Sequence, residues 1–352
     1  MDFALSVEQG DLGAAERAWL TRNDPLAAWR AAGEPAVVPI SPSSRAHAVQ
    51  AGVGSLLTTA MGATNVDLYV LAEAHGWAGS ELPVAELAVA GRLVEIIETN
   101  VGGSVAGADD LGIPVPISGG RVSVDVDGRL VLRATSVPVT GVVGADHVVV
   151  LARLPDGADV AAVLPLASVG VRPLATLDLL RSWVRVDVDV TLAADRWVRL
   201  PDGVAQHVRD QLTCFRGADA LGAAERLLSM TVGYAKQRSQ FGQVIGSFQA
   251  IKHRCADMAL TVEAGRSVLW AAAAALDADD PVMRTQLVSA AAAYVGGGAS
   301  RVAQSALQIH GGIGFTWEHD VHLLLRRIKV DELLGCAGPT HRRRLAGAVA
   351  AR

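Results

Sequence analysis

The chain has 352 residues, more than one hydrophobic core organises, so two or three domains are expected. It is 51% hydrophobic and 19% charged, a balance that calls for large buried helix faces or a large subunit interface. A formal net charge of −5 argues against nucleic acid as a main partner. No uncharged apolar run reaches bilayer length, so no membrane span is expected. The start, MDFALSVEQG, has neither a basic nor an apolar leader pattern. Cys214, Cys255 and Cys336 are widely spaced and odd in number, matching no zinc or disulfide pattern and pointing to a reducing cytoplasm.

Residues 1 to about 105 read as a helical domain. Ser6 and Gln9 form a capping box before a first helix. A Pro- and Ser-containing break runs from Pro35 to Ser44. Helical segments follow over Arg45–Thr58 and Val66–Ala74. Pro83 restarts a helix through Leu87, Ala90, Leu93 and Ile96, which share one face. No catalytic cluster stands out here, and His75 reads as a surface residue.

From about 106 to 202 the chain turns valine-rich, with short alternating runs. Asp127-Gly128 between Val122–Val126 and Leu130–Arg133 is a hairpin signal. A small antiparallel β-domain is expected, with its aspartates on the solvated face rather than in a calcium loop. From 203 to 352 the chain is helical again, as a four-helix bundle. Ser247 reads as one N-cap, and Asp280-Pro281 as another cap with a first-turn proline. The fold class is therefore α+β, mainly α: an N-terminal helical domain, a middle small antiparallel β-domain and a C-terminal bundle.

Gly311, Gly312 and Gly314 break the helix that ends at His310. Thr316 reads as the cap of the next helix, with Glu318 and Asp320 in its first turn. Arg326, Arg327 and Lys329 stand where positive charge suits the dipole. Such a Gly-rich turn exposes N–H groups that hold an anion such as pyrophosphate, or it makes a tight helix corner. Arg238, at another helix end, is a solvated dipole partner or a phosphate ligand.

Taken in order, Arg238-Ser239-Gln240-Phe241-Gly242 with Phe248-Gln249-Ala250-Ile251, and Gln308-Ile309-His310-Gly311-Gly312-Ile313-Gly314-Phe315, resemble the acyl-CoA dehydrogenase family. The likeness is strong from about Gly203 onward, fair through Val137–Val148 and faint nearer the N-terminus. It implies FAD held between subunits, an acyl-CoA substrate and electron-transfer flavoprotein as acceptor. By that resemblance Arg238, Gln240, Phe241 and Gln249 would face the ADP part of a flavin shared with a neighbour. Gln308, Gly311 and Gly312 would line the same pocket from a further subunit. Gln240 departs from the small hydroxyl residue many relatives carry.

Two larger departures follow. Residues 95–120 offer Glu98–Ser104 and Gly107–Asp110, with no match to the family's flavin-ring segment. The carboxylate that removes the α-proton is also missing. Its two family positions fall at Gly335 and near Leu212, with Asp210 and Asp219 out of step. Glu332, His310 and His341 are the remaining candidates. The resemblance therefore implies no catalytic residue of its own and a hetero-oligomer with a base-bearing subunit, as resembled by actinobacterial steroid side-chain systems. The alternatives are a self-sufficient homotetramer using Glu332, and a flavin-free scaffold.

Overall fold

The computed structural model describes residues 5–32 and 38–350; Pro35, in the expected break, lies outside them. Helix α1 (Val7–Asn23) starts at the Ser6/Gln9 capping box. After α2 (Pro25–Ala32), α3 (Pro42–Gln50) is shorter than the sequence suggests, because Gly52, at φ 64°, turns the chain into a single 3-10 turn. Helix α4 (Asn65–Ala78) has its own capping box from Thr64 and Asp67. Helix α5 (Val84–Val101) ends at Gly102 in the left-handed conformation. His75 is not on the surface: it is 1% exposed and its Nε2 lies 2.7 Å from the Glu16 carboxylate, which also meets His47 at 2.9 Å.

The middle domain comprises β1 (Gly112–Val124), β2 (Leu130–Ser136), β3 (Val139–Thr140), β4 (His147–Arg153), β5 (Asp159–Pro165), β6 (Gly170–Leu174), β7 (Trp183–Leu192) and β8 (Val198–Arg199). Their order is β3-β7-β2-β1-β4-β5-β8, with β6 also on β7. The sheet is mixed rather than purely antiparallel. Long β1 pairs antiparallel with β2 through residues 117–124, and parallel with β4 through residues 112–116. An irregularity between Ile117 and Gly119 separates the two halves. The chain returns through β2 and β3 before β4 begins, so β4 runs with β1. The Asp127-Gly128 hairpin is present, with Gly128 at φ 75°. The aspartates do lie on the solvated face: Asp187 pairs with Arg172 and Asp189 with Arg133.

The C-terminal helices are α6 (Val204–Gln237), α7 (Gln249–Leu276), α8 (Pro281–His310), α9 (Val321–Leu334) and α10 (Gly338–Ala350). A two-residue hairpin, β9 (Ser239–Gln240) with β10 (Gln243–Val244), joins α6 to α7. Helix α10 packs on α8, adding a fifth helix to the expected four. Asp280 caps α8 as its sequence suggests. Ser247 caps nothing; its hydroxyl donates to the Val244 carbonyl and α7 begins after Phe248. Thr316 closes a 3-10 turn over Gly311–Phe315, and α9 starts only at Val321. Helix α7 is, among the described helices, the one long and apolar enough to cross a bilayer by length and composition. It packs against α6 and α8, and its Arg266 ion-pairs with Glu73, Glu225 and Glu263.

Two glycines bring α4 and α6 together backbone to backbone. A Cβ on Gly76 would lie 2.1 Å from the Asp219 carbonyl oxygen, and one on Gly222 2.0 Å from that of Glu73. Beside this crossing, a buried charge network joins the N-terminal helices, the segment before β7 and the C-terminal helices. Arg327 is not a dipole partner in solvent. It is 1% exposed and donates to Asp219 Oδ2 at 2.8 Å, Asp219 Oδ1 at 2.5 Å and the Ser80 carbonyl at 2.6 Å. Arg181, from the middle domain, reaches Asp178 and Asp331 at 2.8 Å each and Asp219 at 3.2 Å. Burial pushes Asp331 well above the usual carboxylate range. Burial also works on Asp219, but the Arg327 and Arg181 charges override it and hold that group well below the range.

Candidate functional site

The sequence-selected residues gather at one end of the bundle, where α6 and α8 finish and α7 begins. Tyr234 of α6 stacks on His310 of α8, with centroids 4.6 Å apart and planes 22° apart. His310 Nδ1 donates to the Ala306 carbonyl at 2.8 Å, and burial lowers the pKa of this ring. His310 is thus tied into the helix corner rather than poised over open space. Its ring also meets His319 edge-on at 4.7 Å.

Arg238 caps α6: its N–H donates to Tyr234 O at 2.9 Å, and its own carbonyl accepts from Ile245 N–H at 2.7 Å. That bond folds the hairpin back and leaves the Arg238 side chain in solvent, without an ion pair among the described residues. Phe241 is 91% exposed at φ 53°, edge-on to Phe248. Gln240 is exposed and donates to the Ser239 carbonyl. Gln249 lies at the first turn of α7, 3.4 Å from His253. Gln308 and Gly312 are exposed and Gly311 is half-buried, with open space over both glycines. Together they make an open wall: a free guanidinium, an exposed aromatic ring and bare backbone.

A second feature lies toward the other end of α6. A cavity of about 370 Å³ opens where the helical domain, the β-domain and the bundle meet. Leu212 and Gly335, the positions at or near which the family resemblance leads one to expect a carboxylate, both line it. Around them stand Pro114, Val137 and Thr140 from the sheet, Glu86 from α5 and His341 from α10. Arg216 fills the space beside Gly335, where a Cβ would fall 2.7 Å from its Cδ. Arg216 Nη1 donates to the Leu334 carbonyl at 3.0 Å, and its guanidinium lies over Trp183 with Glu86 at 3.9 Å. Sequence reading missed Arg216 and Glu86. The available signal was the spacing Arg209, Leu212/Thr213, Arg216, which puts two arginines on one helix face.

The other acids are engaged elsewhere. Glu332 ion-pairs with Lys329 and accepts from Ser300 Oγ at 2.5 Å. Asp210 accepts from Gln206 and Thr285 and pairs with Arg284. Asp320 is held 2.5 Å from Arg30. In the loop after α5, Glu98 accepts from Ser104 Oγ and Val105 N–H, and Asp110 accepts from Gly107 N–H. That segment closes on itself, and the Asp110 and Glu98 charges act on His147 of β4.

Residues 211–350 match the family model described as the acyl-CoA dehydrogenase C-terminal domain. Over 157 residues the chain is 41% identical to the acyl-CoA dehydrogenase IpdE2 of Mycobacterium tuberculosis. That match covers 44% of each chain, so it spans less than half the length of this curated relative. Among solved structures, the ChsE4-ChsE5 complex from Mycobacterium tuberculosis superposes with a TM-score of 0.86 at 23% identity, covering 100% of both chains. A Tcur3481-Tcur3483 steroid ACAD variant gives 0.82 at 22%, covering 98% of each. The FAD complex of PigA gives 0.82 at 18%, covering 99% of each. Residues 211–350 are thus an acyl-CoA dehydrogenase C-terminal domain by sequence, and the chain as a whole shares the fold of these solved structures.

Proposed function

We propose that this chain is the base-less subunit of an FAD-dependent acyl-CoA dehydrogenase, completing the flavin site of a base-bearing partner in a heterotetramer. One observation carries the reading: Leu212 and Gly335 line the same cavity, and the volume beside Gly335 holds Arg216. A cation stands where α,β-dehydrogenation needs a proton acceptor.

Helix α6 separates the two halves of the problem. Leu212 and Arg238 are 26 residues apart on its axis, about 39 Å at the helical rise. The Arg238 wall and the cavity of one protomer therefore do not share one cofactor, and the wall is left for a neighbour's. The wall's residues fit the ADP half of FAD: Arg238 would hold phosphate and Gln240, Phe241 and Gln249 would face the ADP, while Gln308, Gly311 and Gly312 would line such a pocket from a further subunit. Nothing fits the family's ring-binding segment in residues 95–120. When bound, the flavin supplies hydride-accepting chemistry; this chain's part is to grip and orient it. The two-chain complexes among similar structures support the arrangement, and one of them, described as a steroid ACAD, supports a steroid-derived acyl-CoA as the substrate class. Electron-transfer flavoprotein as acceptor and a cytoplasmic location complete the proposal, the latter from three free cysteines.

The test is co-expression with a base-bearing family member encoded nearby, followed by a flavin count per tetramer. Half occupancy with turnover is expected. A yellow, active protein from this chain alone overturns the reading in favour of a self-sufficient enzyme. A complex that stays colourless overturns it in favour of a flavin-free scaffold.

A further inference from the structure

Three arginines line the Leu212–Gly335 cavity, Arg209, Arg216 and Arg344, against one carboxylate, Glu86. Arg209 and Arg344 are exposed at its rim, while Arg216 is half-buried within. The Arg216 guanidinium is under-used. One nitrogen donates to Leu334 O, Glu86 lies at 3.9 Å, beyond hydrogen-bond length, and buried Nε has no partner among the described residues. His341 is 4% exposed; its Nε2 donates to the Gly335 carbonyl at 3.0 Å and its buried Nδ1 has no partner among the described residues. Burial lowers the pKa of this ring, so it adds no charge. The remaining wall is mixed: apolar Pro114, Val137, Val139, Leu212 and Leu334 stand beside Thr140, Thr213 and Thr340.

We propose that this cavity binds the carboxylate of an apolar organic acid, with the acid group directed to Arg216 and the rim arginines and the hydrocarbon against the sheet and α9 residues. The volume is that of a small-ligand site. An arginine fork with donors to spare beside a largely apolar wall selects a carboxylate over a neutral head, because the charge-assisted bonds are lost with an amide. Bound in this way, the acid meets no proton acceptor at position 212 or 335 and is held without being processed. The inference rests on the reading of this cavity as base-less. It is tested on binding alone, so its failure is separate from a failed flavin count.

The experiment is isothermal titration of the purified full chain with octanoate and with octanamide, repeated for R216Q and R344Q. Circular dichroism checks that each variant is folded; Arg344 is exposed, so R344Q keeps the test available if R216Q does not fold. Octanoate is expected to bind at least about ten-fold tighter than octanamide, with either substitution erasing most of that preference and leaving octanamide unchanged. Equal binding of acid and amide, no binding of either, or an acid preference that survives every folded variant would overturn the proposal.

Discussion

Gly335 and Arg216 are mutually exclusive with a side chain at position 335: a Cβ there would lie 2.7 Å from Arg216 Cδ and 3.0 Å from its Cβ. The contact is with the inner stem of the arginine, which cannot swing aside as its tip can. The glycine's φ of −130° suits any residue, so the obstacle is space and not backbone. We therefore expect Gly335→Glu to destabilise the chain by about 1–3 kcal/mol through overpacking. Urea midpoints check this. No acyl-CoA oxidation should appear from the isolated variant, because the new carboxylate meets Arg216.

Glu332→Gln should leave turnover of the assembled complex within about two-fold. Its carboxylate is held by Lys329 and Ser300, and losing a partly exposed pair changes stability by about 0–1 kcal/mol. Steady-state kinetics on the complex decide it. A collapse of turnover with flavin retained would identify Glu332 as the base.

Arg238→Ala should weaken flavin retention in the complex by about 1.5–3 kcal/mol, the range for a charge-assisted contact. Its melting temperature should not move, because the side chain is exposed and carries no ion pair among the described residues. Equilibrium dialysis of FAD and a thermal melt on the same sample separate the two effects.

Arg327→Met should cost about 3–5 kcal/mol, since it strands the buried Asp219 carboxylate and the Ser80 carbonyl. The loss should show in urea unfolding, and the domains should loosen together because Ser80, Asp219 and Arg181 belong to different ones.

His207 gives the pH dependence a sign. Burial, aided by the Arg284 charge, lowers it from 6.5 to about 4, so the folded chain keeps it neutral where the unfolded chain protonates it. Its contribution is fully present above pH 6.5, is lost as pH falls toward 4, and levels off below that. The swing is about 1–3 kcal/mol after allowing for its partial exposure. His147, His310, His319, His322 and His341 are lowered in the same direction, mainly by burial. His207→Gln should flatten part of the slope of urea midpoint against pH between 6.5 and 4.

Much of this protein was legible along the chain. The Ser6/Gln9 box, the Asp127-Gly128 hairpin and the Asp280 cap are each made by neighbours in sequence, so local residue chemistry determined them. The Arg238–Phe241 and Gln308–Gly312 segments stood out in sequence because each is a short continuous stretch at which a helix gives way, to a hairpin in one case and a 3-10 turn in the other. Packing decided the rest. The parallel β1–β4 pair, the burial of His75 and the pairing of Arg327 with Asp219 depend on residues tens to hundreds of positions apart. So does the cavity. Sequence could show that positions 212 and 335 lack an acid, but only the fold brings them into one space and sets Arg216 beside them. A charge's role is fixed by what surrounds it once water is removed, and that surrounding is assembled from elements that no local window contains.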